Sequence, residues 1–435
     1  MFKISRTWIL LALVLVGSLL VAACDDDDGE GGDEPESTTS SATTDASGDV
    51  KTDVGVSDTE IKLGQHIVQS GNLASVYQPV APTLLAYFKS VNAQGGVCDR
   101  QITLLVEDDQ YSPAIALEKA KKLAEQDEVA AFIGNLGTPP NTGSAQYINE
   151  QEVPDLFIAT GVNTFADVKT LPYTVLFNPD YISEGNILAD YVNENFAGQS
   201  VAILSQNDDF GESGRQGFVD TFEGEVVAEE TYESTATEIN SQLANLKNAN
   251  PDIVYVYATP AYTARLYAYM KTNDWNPQIV MSYVNSATTL AALVGGDAGP
   301  AEGFAQIAGA ITNNYVLDAV ADADDPAVQD HAKIMADNGG PPVGTLTIYS
   351  QAIAETVVQT LEIACENGDL TRAGILAAAE SVEGFHPSVL LEGIDVTLGE
   401  DDHSAIQSLQ PVEVQADGTL KPLTEAPVES TGGEE

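Results

Sequence analysis

The sequence predicts an α/β protein of two doubly wound lobes, each a parallel sheet clothed by helices. Three observations lead there. Short apolar runs alternate with longer helical stretches, the pattern of strands buried on both faces and joined by crossover helices. There are more such units than one sheet of ordinary size holds. The chain has 435 residues, 43% of them hydrophobic, which is enough for two separate cores.

The first element is not part of the fold. Lys3 and Arg6 precede an apolar run that begins at Trp8 and closes with Leu20-Val21-Ala22-Ala23-Cys24. A positive start, a short apolar centre and a small-residue end make an export signal over residues 1–23. The run is shorter than a bilayer-spanning helix requires. Its small-small-Cys ending resembles the lipobox of bacterial lipoproteins. That resemblance implies a diacylglyceryl group on Cys24 and a place on the outer face of the cell membrane. A plain secretory signal with a chance Cys, or an uncleaved anchor, are the alternatives. Residues 24–56 read as an acidic tether, opening with Asp25 to Asp28 and rich in Gly, Ser and Thr. Such a segment buries too little to offset chain entropy, and spans roughly 30 Å on average. The acidic stretch 425–435 reads as a frayed tail.

Between these ends, strands are expected at Ile61–Gly64, Ile102–Val106, Ala130–Gly134, Leu156–Ala159, Val201–Leu204, Ile253–Tyr257 and Ile279–Met281. Ser112-Pro113 opens a helix with a cap and an N1 proline, and its charged face carries Glu118, Lys119, Lys121 and Lys122. Leu346, Tyr349, Ile353, Val357, Leu361 and Ala364 form a stripe at steps of three or four, a core-facing helix that Asn367-Gly368 stops.

Charge excludes one class of partner. Against 66 acidic residues stand 17 basic ones, a formal net charge of -49. Nucleic acid needs a Lys/Arg footprint, and anionic membrane surfaces would repel this chain. An acidic surface of this kind keeps a protein soluble. A saline habitat is the sharper reading, and it predicts greater stability in molar salt. Of three cysteines, Cys98 and Cys365 remain once Cys24 is set aside. In an oxidising compartment the pair predicts a disulfide, two buried thiols being the alternative. Four histidines are scattered, and Asp401-Asp402-His403 reads as a surface turn. No metal or other cofactor is expected.

Ligands of doubly wound sheets bind beyond the carboxyl ends of strands, near helix N-termini. Two strand exits fit. Phe132 to Thr142 runs from a buried strand through Gly134-Asn135-Leu136-Gly137 to Thr138 at a cap position and Pro139 at N1. Leu156 to Asn163 ends in Ala159-Thr160-Gly161, where Gly161 permits close backbone approach. One strand-helix unit separates the two, so their loops are expected side by side. A capped helix with no ligand is the plain alternative for the first. Asp208 and Asp209 read as a solvated strand-helix loop.

The segment Val91 to Ile102, with Asn92, Gly95-Gly96, Arg100 and Ile102, resembles a signature N-x-x-G-G-[IV]-x-G-[RK]-x-[IVL], with Asp99 where Gly is usual. Glu107-Asp108-Asp109, Ile133 to Thr138, Val153-Pro154, Ala159-Thr160-Gly161 and Gln206 to Gly211 follow in order. Together, from about Val56 to Pro422, they resemble solute-binding proteins of ABC importers of the branched-chain amino acid type, nearest the subset that binds amides and aromatic acids. The resemblance implies a type I periplasmic-binding fold with three crossovers near Pro179, Gly309 and Leu390. Lobe 1 would comprise 57–179 plus 310–389, and lobe 2 would comprise 180–309 plus 390–424. It implies a ligand cleft between lobes that close by hinge motion, and a permease that recognises the closed form.

Site residues follow from the same resemblance. The carboxylate-holding hydroxyl after the turn at Leu136 falls on Thr138. A backbone carbonyl and a hydroxyl of the next loop fall on Gly161 and Asn163. Wall aromatics fall on Tyr77 and Phe210, and a further tyrosine position is Thr259. Another wall aromatic falls on Gly344, enlarging the pocket. The acid that pairs with a ligand ammonium falls on Tyr283, which carries no charge near neutral pH. A buried ammonium without a carboxylate is costly, so a neutral or anionic guest is implied, an apolar or aromatic carboxylate or amide. A branched-chain amino acid held through other residues is the alternative. A sensory subunit of the same fold is the alternative function. An enzyme is disfavoured, for the sequence holds no G-x-S-x-G elbow, Walker loop or metal-ligand spacing. The protein is expected to act as a monomer.

Overall fold

The structure, a computed structural model, describes residues 50–429. The export signal, Cys24 and nearly all of the acidic tether lie outside the described residues. Residues 50–56, expected to belong to the tether, pair with the folded body. Lys51–Thr52 pairs in parallel with Asp369–Leu370, and Val56 bridges Ile61.

The first sheet is built from β1 (Glu60–Ile67), β2 (Gln101–Asp108), β3 (Ala131–Ile133), β4 (Asp155–Ile158) and β5 (Thr174–Leu176), in the order β2-β1-β3-β4-β5. All its pairings are parallel, and β1 and β2 stay in register from Glu60↔Gln101 to Ile67↔Asp108. Helices α1 (Val80–Ala93), α2 (Pro113–Lys121) and α3 (Thr138–Glu150) connect the strands. The charged face of α2 is tied to β2, since Lys119 and Lys122 both pair with Glu107. Ser112 takes the N-cap position of α2 but makes no side-chain cap bond.

The chain first crosses at Asn178-Pro179-Asp180. The Asp180 carboxylate accepts the Ser183 N–H at 2.7 Å and so caps α4 (Tyr181–Asn195). The second sheet then forms from β6 (Val201–Gln206), β7 (Val226–Tyr232), β8 (Ile253–Tyr257), β9 (Gln278–Met281) and β10 (Ile311–Asn314), in the order β7-β6-β8-β9-β10. This repeats the winding of the first sheet. Its connecting helices are α5 (Asp209–Thr221), α6 (Asn240–Ala249), α7 (Pro260–Thr272), α8 (Ala287–Gly295) and α9 (Pro300–Ile307). Strand β6 is buried along its length. Each Ile or Leu so removed from water contributes about 1.5–3 kcal/mol.

The second and third crossings fall later than expected. Because β10 pairs with β9 through Val280↔Ile311, it belongs to the second sheet, and the chain leaves after Asn314 rather than at Gly309. It then adds α10 (Pro326–Asn338), α11 (Thr345–Glu366) and α12 (Arg372–Glu380) to the first lobe. Leu390 bridges Val316, but the following segment stays with the first lobe. Phe385 pairs with Val396, the Leu398 N–H donates to Val382 O, and Ser404 pairs with Leu176. Only at β11 (Ser408–Val414) does the chain return, antiparallel to β10, followed by antiparallel β12 (Leu420–Pro422). The second sheet is thus parallel except at this edge. Val428–Glu429 also pairs there with β11, so 425–429 is not frayed.

Cys98 and Cys365 form a disulfide, with Cα atoms 6.0 Å apart. It joins the turn after α1 to the end of α11. Asp99 adopts φ 59, the left-handed conformation that explains why Gly is usual there. His403 corrects the reading of a surface turn. Asp401 and Asp402 are exposed, but the His403 ring turns inward, with Nδ1 2.8 Å from Thr174 O and Nε2 3.2 Å from Glu380. No helix among the described residues is long and apolar enough to cross a membrane.

Candidate functional site

The two sheets face each other across a cavity of about 780 Å³, mouth included. It lies where helix starts converge. Thr138 opens α3 and Thr345 opens α11 on the first lobe, while Phe210, Pro260 and Ser286 sit at the starts of α5, α7 and α8 on the second. Each start presents the positive end of a helix dipole.

Five residues singled out from the sequence line this cavity: Tyr77, Leu136, Thr138, Phe210 and Tyr283. Thr138 stands one place further along than expected. Gly137 is the N-cap and Thr138 the first helical residue, with its hydroxyl 2.7 Å from that of Thr160. Leu136 bridges Ala159, which sets the two strand-exit loops side by side.

Four of the expected residues stand elsewhere. Gly161 packs on the first crossing, where an added Cβ would collide with Pro179 O, and its carbonyl accepts the Tyr181 N–H at 2.9 Å. Asn163 is exposed at the start of a short 3-10 turn. Thr259 is buried as the N-cap of α7, and its N–H donates to the Tyr232 hydroxyl at 3.0 Å. Gly344 is the N-cap of α11, and its neighbours Thr345 and Leu346 reach the cavity instead. Asp208 is no free loop residue. It is half-buried and caps α5 by accepting the Phe210 and Gly211 N–H groups.

The sequence reading missed Tyr111, Tyr181, Tyr315 and Tyr349 as wall residues. With Phe210 and Tyr283 most of them form a continuous file of rings. Centroid distances are 5.1 Å for Phe210–Tyr181, 5.9 Å for Tyr181–Tyr283, 5.2 Å for Tyr283–Tyr315 and 6.4 Å for Tyr315–Tyr349. The file starts on the second lobe, passes the first and second crossings and ends on α11. Their positions at element junctions were the available signal. Tyr181 follows Pro179-Asp180 and Tyr111 precedes Ser112-Pro113, whereas Tyr349 lay in a stripe that reads as core.

The lining carries no Asp, Glu, Lys, Arg or His among the described residues. Burial pushes the Tyr181 phenol up to about 12 and holds those of Tyr77, Tyr283, Tyr315 and Tyr349 well above their ordinary value. All are therefore neutral hydrogen-bond donors. Tyr283 donates to Pro179 O and Tyr349 to Asn178 Oδ1, each at 2.7 Å. The hydroxyls of Tyr77 and Tyr315 have no partner among the described residues. Behind Tyr283 lies Glu184, whose carboxyl accepts from the Tyr257 hydroxyl at 2.6 Å, from Ser282 at 3.0 Å and from the Tyr283 N–H at 2.5 Å. Burial pushes Glu184 up to about 8 despite these bonds.

The comparisons agree with this architecture. A branched-chain amino acid transporter protein from Thermus thermophilus with bound valine is 18% identical and superposes with a TM-score of 0.75, covering 86% of this chain and 98% of its own. A fatty acid ABC transporter substrate-binding protein from Thermomonospora curvata is 22% identical, with a TM-score of 0.74 over 88% and 95%. The isoleucine-bound branched-chain amino acid protein LivJ from Streptococcus pneumoniae is 17% identical, with a TM-score of 0.69 over 85% and 100%. At these identities the likeness shows the fold. No curated protein matches the sequence. The model of the periplasmic binding protein family matches residues 60–419, nearly all of the described chain, and this protein belongs to that family.

Proposed function

We propose that this protein captures a small organic solute between its lobes and hands it, unaltered, to the membrane permease of an ABC importer. The cavity carries the reading: both lobes and the first two of the three crossings build it, so a guest contacts surfaces that only closure brings together. The guest is an apolar or aromatic carboxylate or amide. Neutral tyrosine hydroxyls and helix N-termini suit its oxygens, ring faces suit its apolar body, and among the described residues no lining carboxylate awaits an ammonium. The similarly folded protein named as a fatty acid ABC transporter substrate-binding protein supports a guest other than an amino acid. Cys24 carries the lipid that keeps the protein at the outer face of the membrane, and intact-mass measurement of membrane-extracted protein tests this through the added diacylglyceryl mass.

Thermal-shift screening of benzoate, benzamide, a medium-chain fatty acid and leucine tests the ligand class, because a bound guest raises Tm by mass action. The expected result is a shift with a carboxylate or amide lacking an ammonium. Thr138→Ala weakens that binding about tenfold, the loss of one hydrogen bond to a charged or polar oxygen. A strong shift with leucine alone overturns the assignment.

A further inference from the structure

The first lobe holds a hydrogen-bonded chain that the cavity wall does not include. Ser144 on α3, His66 on β1 and Asp109 just past β2 are all 0% exposed. His66 Nδ1–H donates to Asp109 Oδ2 at 2.9 Å, and His66 Nε2 is 2.9 Å from Ser144 Oγ. The order is that of a nucleophilic triad, but no substrate can reach a hydroxyl sealed in the core.

The chain ends on backbone instead. Asp109 Oδ1 accepts the Tyr111 N–H at 2.8 Å, and Asp109 O accepts the Ser112 N–H at 2.9 Å. Gln110 and Tyr111 both lie in the left-handed region, at φ 54 and φ 59. Side-chain-bearing residues persist there only when their surroundings hold them. From this turn the Tyr111 ring lies directly over Gly137, where a methyl group would collide with it. The ring lines the cavity, and its hydroxyl faces Gln206 and Asp208 of the second lobe. The same histidine reaches the other strand exit, for the His66 N–H donates to Asn135 Oδ1 at 2.9 Å.

We propose that the buried Ser144–His66–Asp109 chain is a positioning device, fixing Tyr111 in its left-handed turn so that the ring roofs the α3 start and meets the closing lobe. His66 and Asp109 are thus positioning residues for guest capture, and the inference rests on the ligand-capture reading of the cavity.

Hydrogen exchange by mass spectrometry on the full chain tests the positioning without a ligand. In His66→Ala and Asp109→Ala, the peptide covering 108–113 exchanges about tenfold faster, while α3 and the body of β2 keep their protection. Asp109→Asn, which retains an acceptor for the Tyr111 N–H, gives a smaller change. An unchanged peptide, or an equal rise throughout the lobe, overturns the proposal. Should the alanine variants fail to fold, His66→Gln and Ser144→Ala are read on the same peptide. In a second arm, wild type, His66→Ala and Tyr111→Ala are titrated with benzoate, benzamide and leucine. Both variants weaken the probe that wild type binds by a similar factor, and equal affinity of His66→Ala overturns the positioning role. If no probe shifts wild type, the ligand-capture reading fails, and the exchange result still decides whether the chain holds Tyr111.

Discussion

Glu184 is a carboxyl group without a basic partner among the described residues, enclosed by tyrosines and bonded to Tyr257, Ser282 and Tyr283. Burial raises it from 4.5 to about 8, so folding favours its protonated form. The stabilisation from that preference is complete below the unfolded value and disappears as pH rises through about 8. Wild type is therefore expected to gain Tm relative to Glu184→Gln as pH falls from 8 toward 4.5, and to lose it above 8. Melting curves across that range check the sign, and parallel curves would show that Glu184 titrates alike in both states. The same scale explains what the sequence withheld about the site. Thr138, Phe210 and Tyr283 sit at strand exits and helix starts, where chain position alone points to the cleft. Gly161 sits at an exit too, but the contact its missing side chain permits is with Pro179, and only coordinates distinguish backbone from guest. Tyr349 shares a helical stripe with core residues, and periodicity cannot tell a cavity wall from a core.

At the scale of elements, α11 ties the molecule together. Its far end carries Cys365, bonded to Cys98 across 267 residues of sequence. Chain-entropy reasoning gives such a bridge up to about 5 kcal/mol. Cys365→Ser is expected to lower stability by about 2–4 kcal/mol, read as a lower denaturation midpoint with unchanged affinity. The near end of α11 joins a different device. Buried Asp318, just past the second crossing, accepts from Thr345 of α11 at 2.7 Å and from Thr288 of α8 at 2.6 Å. One carboxylate thus holds helix starts of both lobes. Asp318→Ala is expected to cost about 3 kcal/mol and to shift small-angle scattering toward a more open particle; unchanged scattering would show that the crossings alone set the interlobe angle. Strands buried on both faces were legible because they are unbroken apolar runs. Strand β7 was not, since Glu229 and Glu230 interrupt it at an exposed edge, and β5 is three residues long. Strand β10 reads Ile311-Thr312-Asn313-Asn314, too polar to announce a buried strand, and this moved the second crossing.

Over the whole molecule, a formal charge of -49 repels itself at every distance that solvent ions leave unscreened. The screening length falls from about 30 Å at 0.01 M salt to about 3 Å at 1 M. Tm is expected to rise across that interval, and a flat or falling curve would remove the saline reading of this surface. The three crossings have a separate consequence for how the molecule comes into being. The sheet of the first lobe is finished by Leu176, but α11, which covers it, is not translated until after the entire second winding. Any nascent chain that halts on the ribosome near residue 340 therefore displays a bare apolar face, and chaperone capture is expected at that length.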